Sequence, residues 1–99
     1  MKKTLTDIDY CTNKLKVLKD GNRLAILRLL MVGPKHVNEL NAVLKIEQSL
    51  LSHHLKVLRD EGFVISSQDG KSVLYNIASS VKANKPNTID LKCCLLTFN

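Results

Sequence analysis

Aromatic side chains are scarce in this chain: they account for 4% of its residues, and tryptophan is absent. A protein that grips single-stranded nucleic acid by base stacking needs several exposed rings, so that mode of binding is disfavoured. No apolar run approaches the roughly 18 residues of a membrane span, and the basic start MKKTLTDIDY is not followed by an apolar segment of signal-peptide length. A cytoplasmic protein that does not enter a membrane is therefore expected. The cysteines number only three, Cys11, Cys93 and Cys94. An odd count does not close a disulfide framework, and they are expected as thiols in a reducing compartment. Enzyme signatures are missing as well: there is no Gly-rich phosphate loop, nucleophile elbow, HExxH pattern or pair of carboxylates suited to a cleft, so no catalytic residue is assigned.

What is present begins with charge. Fifteen basic residues stand against nine acidic ones, a net charge of +6, which favours a polyanionic partner. Apolar residues make up 44% of the 99 residues. That is enough for a single domain over 1–99, of a size at which self-association often supplements a modest core.

Helical spacing recurs through the first half. Thr6 or Asp7 is placed to cap a first helix running to about Leu18, with Ile8, Cys11, Leu15 and Leu18 on one stripe. Asp20 and Gly21 interrupt it. The segment from about Asn22 to Val32 is apolar around much of its circumference and reads as the central core helix, stopped by Gly33 and Pro34. A short helix over Val37 to Leu44 packs through Val37, Leu40, Val43 and Leu44, and Lys45, Ile46 and Glu47 form a turn.

The stretch from Ile46 to Val64 carries two surfaces. Leu51, Leu55 and Leu58 fall at i, i+4 and i+7, with Leu50 and Val57 widening the apolar stripe toward a core. Gln48, Ser49, Ser52, His53 and Lys56 occupy the other face. Short polar donors and acceptors with a cation one turn on are the side chains that read base edges and hold phosphates in a major groove. A short helix, a tight turn and a polar-faced helix make a helix-turn-helix. Gly62 ends the last helix. FVISSQ and SVLYNI then read as strands of a hairpin, with Asp69 and Gly70 at the turn and Lys71 near the tip, placed either to reach a phosphate or simply to be solvated.

Beyond Ser79 the pattern is less regular. Ser79, Ser80, Asn84, Pro86 and Asn87 suggest a loop with one helical turn. For TIDLKCCLLTF two forms stay open. Ile89, Leu91, Cys93 and Leu95 alternate as in a strand, whereas Thr88 is able to cap a helix burying Leu91, Cys94, Leu95 and Phe98. The expected fold class is mainly α with a small β-hairpin wing.

LKVLKDGNRLAILRLL, then HVNEL, then SLLSHHLKVLRDEGFV with a GKSVLYNIA hairpin, closely resembles the ArsR/SmtB family of bacterial winged-helix repressors over roughly Leu15 to Ala78. The resemblance implies a homodimer that binds double-stranded DNA at an inverted-repeat operator and releases it when a metal, metalloid or oxidant occupies a sensor site. It also implies an interface built from the terminal segments, 1–18 and 86–99 here.

The sensor is where this chain departs from the family pattern. At the Cys-Val-Cys motif of many arsenic-sensing members stand His36, Val37 and Asn38, and a lone histidine there is more often a cap than a ligand. The zinc-sensing ligands on the last helix reduce to Asp90, so such a site is not expected. Cys11, Cys93 and Cys94 are the better candidates. Neighbouring thiolates share a soft ion, and if the first and last elements meet, Cys11 completes a three-sulfur site within one subunit or across two. Such a site suits arsenite, antimonite or another thiophilic metal as inducer, with no obligatory cofactor. The same atoms suit a redox or persulfide sensor, and small buried fillers of an interface are the structural alternative. His53 belongs with the groove-facing set, and His54 is expected to pack or hydrogen-bond. The competing class of function is a winged-helix module that binds protein partners and not DNA.

Overall fold

The computed structural model describes residues 2–99, and side chains from Asp7 onward. The first helix, α1, spans Lys2–Leu18. It starts ahead of the expected cap, so Asp7 lies inside it. The Thr6 side chain lies outside the described residues. The expected inward stripe of α1 is buried only at its end, at Leu18: Ile8 is 53% and Leu15 45% exposed, and among the described side chains of α1 Val17 and Leu18 enter the core.

Helix α2, Gly21–Val32, begins at Asp20, whose Oδ1 accepts the backbone N–H groups of Asn22 and Arg23 at 2.9 and 3.1 Å. That side chain satisfies two of the donors a helix start leaves free. Ile26, Leu27 and Leu30 are buried at the centre of the core. Strand β1, Lys35–His36, leads into α3, Val37–Leu44. Leu40 is buried, but Val43 is 61% exposed and does not pack as its spacing suggested.

Helix α4, Gln48–Asp60, buries Leu51, His54, Leu55 and Leu58. Leu50 is exposed rather than part of that stripe. The C-terminal end is closed by a two-bond motif: Phe63 N–H donates to the Leu58 carbonyl at 2.8 Å and Gly62 N–H to the Arg59 carbonyl at 3.0 Å. Gly62 has φ +84, the left-handed conformation that this closure requires and that glycine adopts at little cost. Phe63 and Leu58, both fully buried, supply the apolar contact that accompanies it.

The wing is a three-stranded antiparallel sheet in the order β1-β3-β2, with β2 Val64–Asp69 and β3 Ser72–Ile77. Asp69 pairs with Ser72, so the tip residues are Gly70 and Lys71, one place later than the Asp69-Gly70 turn expected from sequence; Gly70 takes φ +63. A 3₁₀ turn, Ser79–Val81, follows.

The tail is a second hairpin, β4 Thr88–Asp90 with β5 Leu95–Thr97, and so takes the strand form of the two left open. Ile89 and Leu91 are buried. The turn between the strands shifts the alternation, so that Leu96 and Phe98 pack on the core while Leu95 is 52% exposed. Asp90 Oδ1 accepts the Lys92 N–H at 2.7 Å and Lys92 adopts φ +72. A local turn of this kind competes with helix at the middle of the segment.

Candidate nucleic-acid interface and cysteine centre

The turn between α3 and α4 is held by one side chain. Asn41 donates Nδ2–H to the Ile46 carbonyl at 3.0 Å and accepts the Ile46 N–H on Oδ1 at 2.9 Å. Lys45 sits in the left-handed region at φ 53. With α4 anchored through its leucines, Gln48, Ser49, Ser52, His53 and Lys56 are all exposed together on the opposite face. Ser49 Oγ donates to Glu47 Oε1 at 2.8 Å. Lys56 Nζ is 2.7 Å from Asp60 Oδ2, an exposed i, i+4 pair. Lys71 is exposed at the wing tip. Between α3, the start of α4 and the wing lies a cleft of about 590 Å³ lined in part by Asn38, Asn41, Gln48 and Ser72.

His36 caps α3 and ties it to the wing. Its Nδ1 lies 2.9 Å from Glu39 Oε1 and its Nε2 2.8 Å from Asp69 Oδ2. Both ring nitrogens face carboxylate oxygens, an arrangement satisfied by the imidazolium, which donates from both. The hydrogen bond to Asp69 and then that to Glu39 raise its pKa above the ordinary histidine value.

His54 is buried, with Nε2 3.9 Å from Asp20 Oδ1. Arg23 Nε donates to its Nδ1 at 3.1 Å, and the same guanidinium donates Nη1–H to the Val17 carbonyl at 3.2 Å. Burial, reinforced by the Arg23 and His53 charges and opposed by Asp20, lowers the His54 pKa. It therefore serves as the neutral, hydrogen-bonded core side chain expected of it. Arg23 and Asn41 carried no motif that would have singled them out in the sequence.

The three cysteines come together within one subunit: their sulfurs all lie within 4.8 Å of one another. The expectation of three thiols is corrected. Cys11 and Cys93 form a disulfide with Cα atoms 5.9 Å apart, a separation suited to bridging, because the tail hairpin lays its turn against α1. Cys94 keeps a free thiol, with Sγ 3.9 Å from each of the other two sulfurs. Cys93 and Cys94 are exposed and Cys11 partly so. His36, far from this group in the fold, joins Glu39 and Asp69 instead of any cysteine. No helix among the described residues is long and apolar enough to cross a membrane.

Four helices carrying an antiparallel wing, with one helix polar-faced and leucine-anchored, define a winged helix-turn-helix protein. A family model described as bacterial regulatory protein, arsR family, matches residues 20–66. The arsenical resistance operon repressor of Staphylococcus aureus is 33% identical over 85 residues, which cover 80% of this chain and 82% of that protein. The chain belongs to the arsR family of bacterial regulators, a family of transcriptional regulators and not of enzymes. The regulator NmtR of Mycobacterium tuberculosis is 40% identical over 63 residues, 64% of this chain and 52% of NmtR. This chain thus spans about half the length of some relatives it matches. Among solved structures, reduced HlyU from Vibrio cholerae matches with a TM-score of 0.75 at 30% identity, covering 81% of this chain and 84% of HlyU.

Proposed function

We propose that the protein is a homodimeric, cytoplasmic transcriptional repressor that holds duplex DNA at an inverted repeat. Two copies of α4 lie in successive major grooves about one helical turn apart. Gln48, Ser49, Ser52 and His53 face base edges, and Lys56 and Lys71 face phosphates. One observation carries this reading: the polar face of α4 is wholly exposed while its leucine face is wholly buried. The exposed Ile8, Tyr10 and Leu15 of α1 are the apolar surface that a second copy covers, with 1–18 and 86–99 at the interface.

The signal is read by Cys11, Cys93 and Cys94. With the bridge reduced to two thiols by a dithiol reductant, the three sulfurs take up arsenite or antimonite, each thiol losing its proton as As(OH)₃ loses three waters to form three As–S bonds. The close triangle of sulfurs supports this inducer class. A second reading, a redox or persulfide sensor, is favoured by the Cys11–Cys93 bridge itself.

Two measurements test the proposal. Anisotropy of a labelled mixed-sequence duplex of about 30 base pairs is followed against salt, and affinity should fall steeply as phosphate contacts are screened. Absence of binding at low salt overturns the reading in favour of a protein-interaction module. Arsenite, antimonite and a persulfide donor are then titrated into the complex alongside a Cys93→Ser, Cys94→Ser variant. Release that is unchanged in the variant removes the cysteines as sensor.

A further inference from the structure

We infer that Lys14 is a positioning residue that couples the Cys11–Cys93 centre to the C-terminal end of α4. The inference rests on the sensor reading above and names the route by which the signal reaches the DNA-facing helix. Lys14 follows Cys11 by three residues, one turn along α1, so the two share a face. Its ammonium donates to the Glu61 backbone carbonyl at 2.6 Å and lies 3.6 Å from the Glu61 carboxylate. The Tyr10 and Phe63 rings flank it, with centroids 5.4 and 5.5 Å from Nζ. A lysine side chain only 19% exposed is held here and is not merely solvated.

The position is mechanically placed. Glu61 is the cap residue of α4, where unpaired carbonyls concentrate the negative end of the helix dipole and a cation is favoured. Phe63 closes the same helix end through the Leu58 carbonyl. A cavity of about 170 Å³ lined by Tyr10, Lys14, Glu61, Phe63, Leu91 and Lys92 separates this grip from the tail turn, so there is room for α1 to shift. Along α1, Val17 and Leu18 are the buried anchors, and between them and the disulfide stands Lys14. The bridge fixes α1 sideways against the tail hairpin. When a dithiol reductant converts that bridge to two thiols and is itself oxidised to its cyclic disulfide, α1 at the level of Lys14 loses its lateral tie. The Lys14 ammonium then releases the last turn of α4. With Leu51, Leu55 and Leu58 held in the core, a displacement of that end tilts α4 and re-aims Gln48 and Ser52 at the other.

The test compares wild type, Lys14→Met and Lys14→Arg, each oxidised and dithiothreitol-reduced, for affinity to the same duplex and for unfolding midpoint. The wild-type Kd is expected to differ between the two forms by roughly 5- to 150-fold, the usual range of allosteric coupling. Lys14→Met should bring that ratio to within about twofold of unity with duplex binding kept in both forms, and Lys14→Arg should restore a ratio. A full wild-type ratio in Lys14→Met overturns the inference, as does equal loss of binding in both forms, which marks a merely structural lysine. Amide hydrogen exchange supplies the independent arm: reduction should speed exchange at 61–63 beyond the general rise in the wild type and not in Lys14→Met, and an equal change in both overturns the coupling. A wild-type Kd indifferent to reduction defeats the sensor reading instead, and the exchange result still decides whether Lys14 links the bridge to α4.

Discussion

Arg23 of α2 donates its Nε–H to the buried Nδ1 of His54 in α4, across 3.1 Å, while its Nη1 holds the last turn of α1 through the Val17 carbonyl. One guanidinium thus joins three helices at the point where the DNA-facing helix must be aimed. Arg23→Ala leaves a buried imidazole acceptor without a donor, a loss that costs about 1–3 kcal/mol. Urea denaturation should show it as a lowered midpoint with an unchanged slope. A lysine at this position supplies one donor point in place of the planar fork, so Arg23→Lys should recover only part of the loss.

The two structural histidines should titrate in opposite directions. For His54, burial is the largest cause of a pKa below the ordinary 6.5. The unfolded chain then binds more protons near and below that value, so stability falls as pH drops below about 6.5 and stops falling beneath the folded pKa. For His36, the bonds to Asp69 and Glu39 raise the pKa above 6.5. Its contribution is complete below about 6.5 and is lost as pH rises through the raised value. Imidazole NMR titration checks both. His36→Asn should remove the alkaline loss and loosen the wing, and a His54 midpoint above 6.5 would contradict the packing described.

These pairings show which features a linear pattern reveals. The helix-turn-helix was readable because Leu51, Leu55 and Leu58 repeat at the helical period against a core, and because Asp20, Gly33-Pro34 and Gly62 punctuate the elements through local backbone chemistry. The two residues of β1 carry no period at all. In α1 the spacing of Ile8 and Leu15 was legible, but not that it faces away from the subunit's own core. The tail defeated periodicity because the turn at 91–94 reverses the parity of the strand that follows it, packing Leu96 and not Leu95 against the core. Lys14 was invisible for another reason: its partners are a backbone carbonyl 47 residues on and two aromatic rings. Cys11 and Cys93 were singled out for their chemistry, yet their bond depends on a hairpin that sequence left undecided.

Reduction of the Cys11–Cys93 bridge should destabilise the subunit appreciably. The bridge spans a sequence separation of 82 residues, and a loop of that length restricts the unfolded chain by about 4.5 kcal/mol on the chain-entropy model, with typical measured values of about 2–4 kcal/mol. For a domain of this size that corresponds to a fall in Tm on the order of 10–20 °C. Calorimetry with and without dithiothreitol measures it, and Cys11→Ser should abolish the difference. Cys94→Ser should leave it nearly intact.

Gly62 is expected to be a sensitive position although a side chain there would touch nothing. A Cβ placed there meets no atom within 4 Å, so any cost of Gly62→Ala comes from holding φ +84, about 1–2 kcal/mol for a non-glycine residue. Asn tolerates this region better, and Gly62→Asn should lie between. The ordering Gly, Asn, Ala in thermal denaturation separates backbone strain from packing.

The two lysines assigned to phosphates should not behave alike. Lys71 at the wing tip lies in no ion pair among those described, whereas Lys56 is committed to Asp60 at 2.7 Å, which dilutes its positive field where a phosphate would approach. That pairing also holds the Asp60 carboxyl below its usual pKa, so the negative charge persists through the physiological range. An exposed i, i+4 pair of this kind is worth little to stability. Asp60→Asn should therefore leave folding almost unchanged while freeing Lys56, tightening duplex binding by about two- to fivefold at low salt. Lys71→Ala should weaken all duplexes alike and reduce the salt slope by about 1. Gln48→Ala and Ser52→Ala should instead narrow the gap between preferred and random sequence. If Asp60→Asn weakens binding, Lys56 faces something other than a phosphate, and the assignment of that end of α4 to the DNA backbone fails.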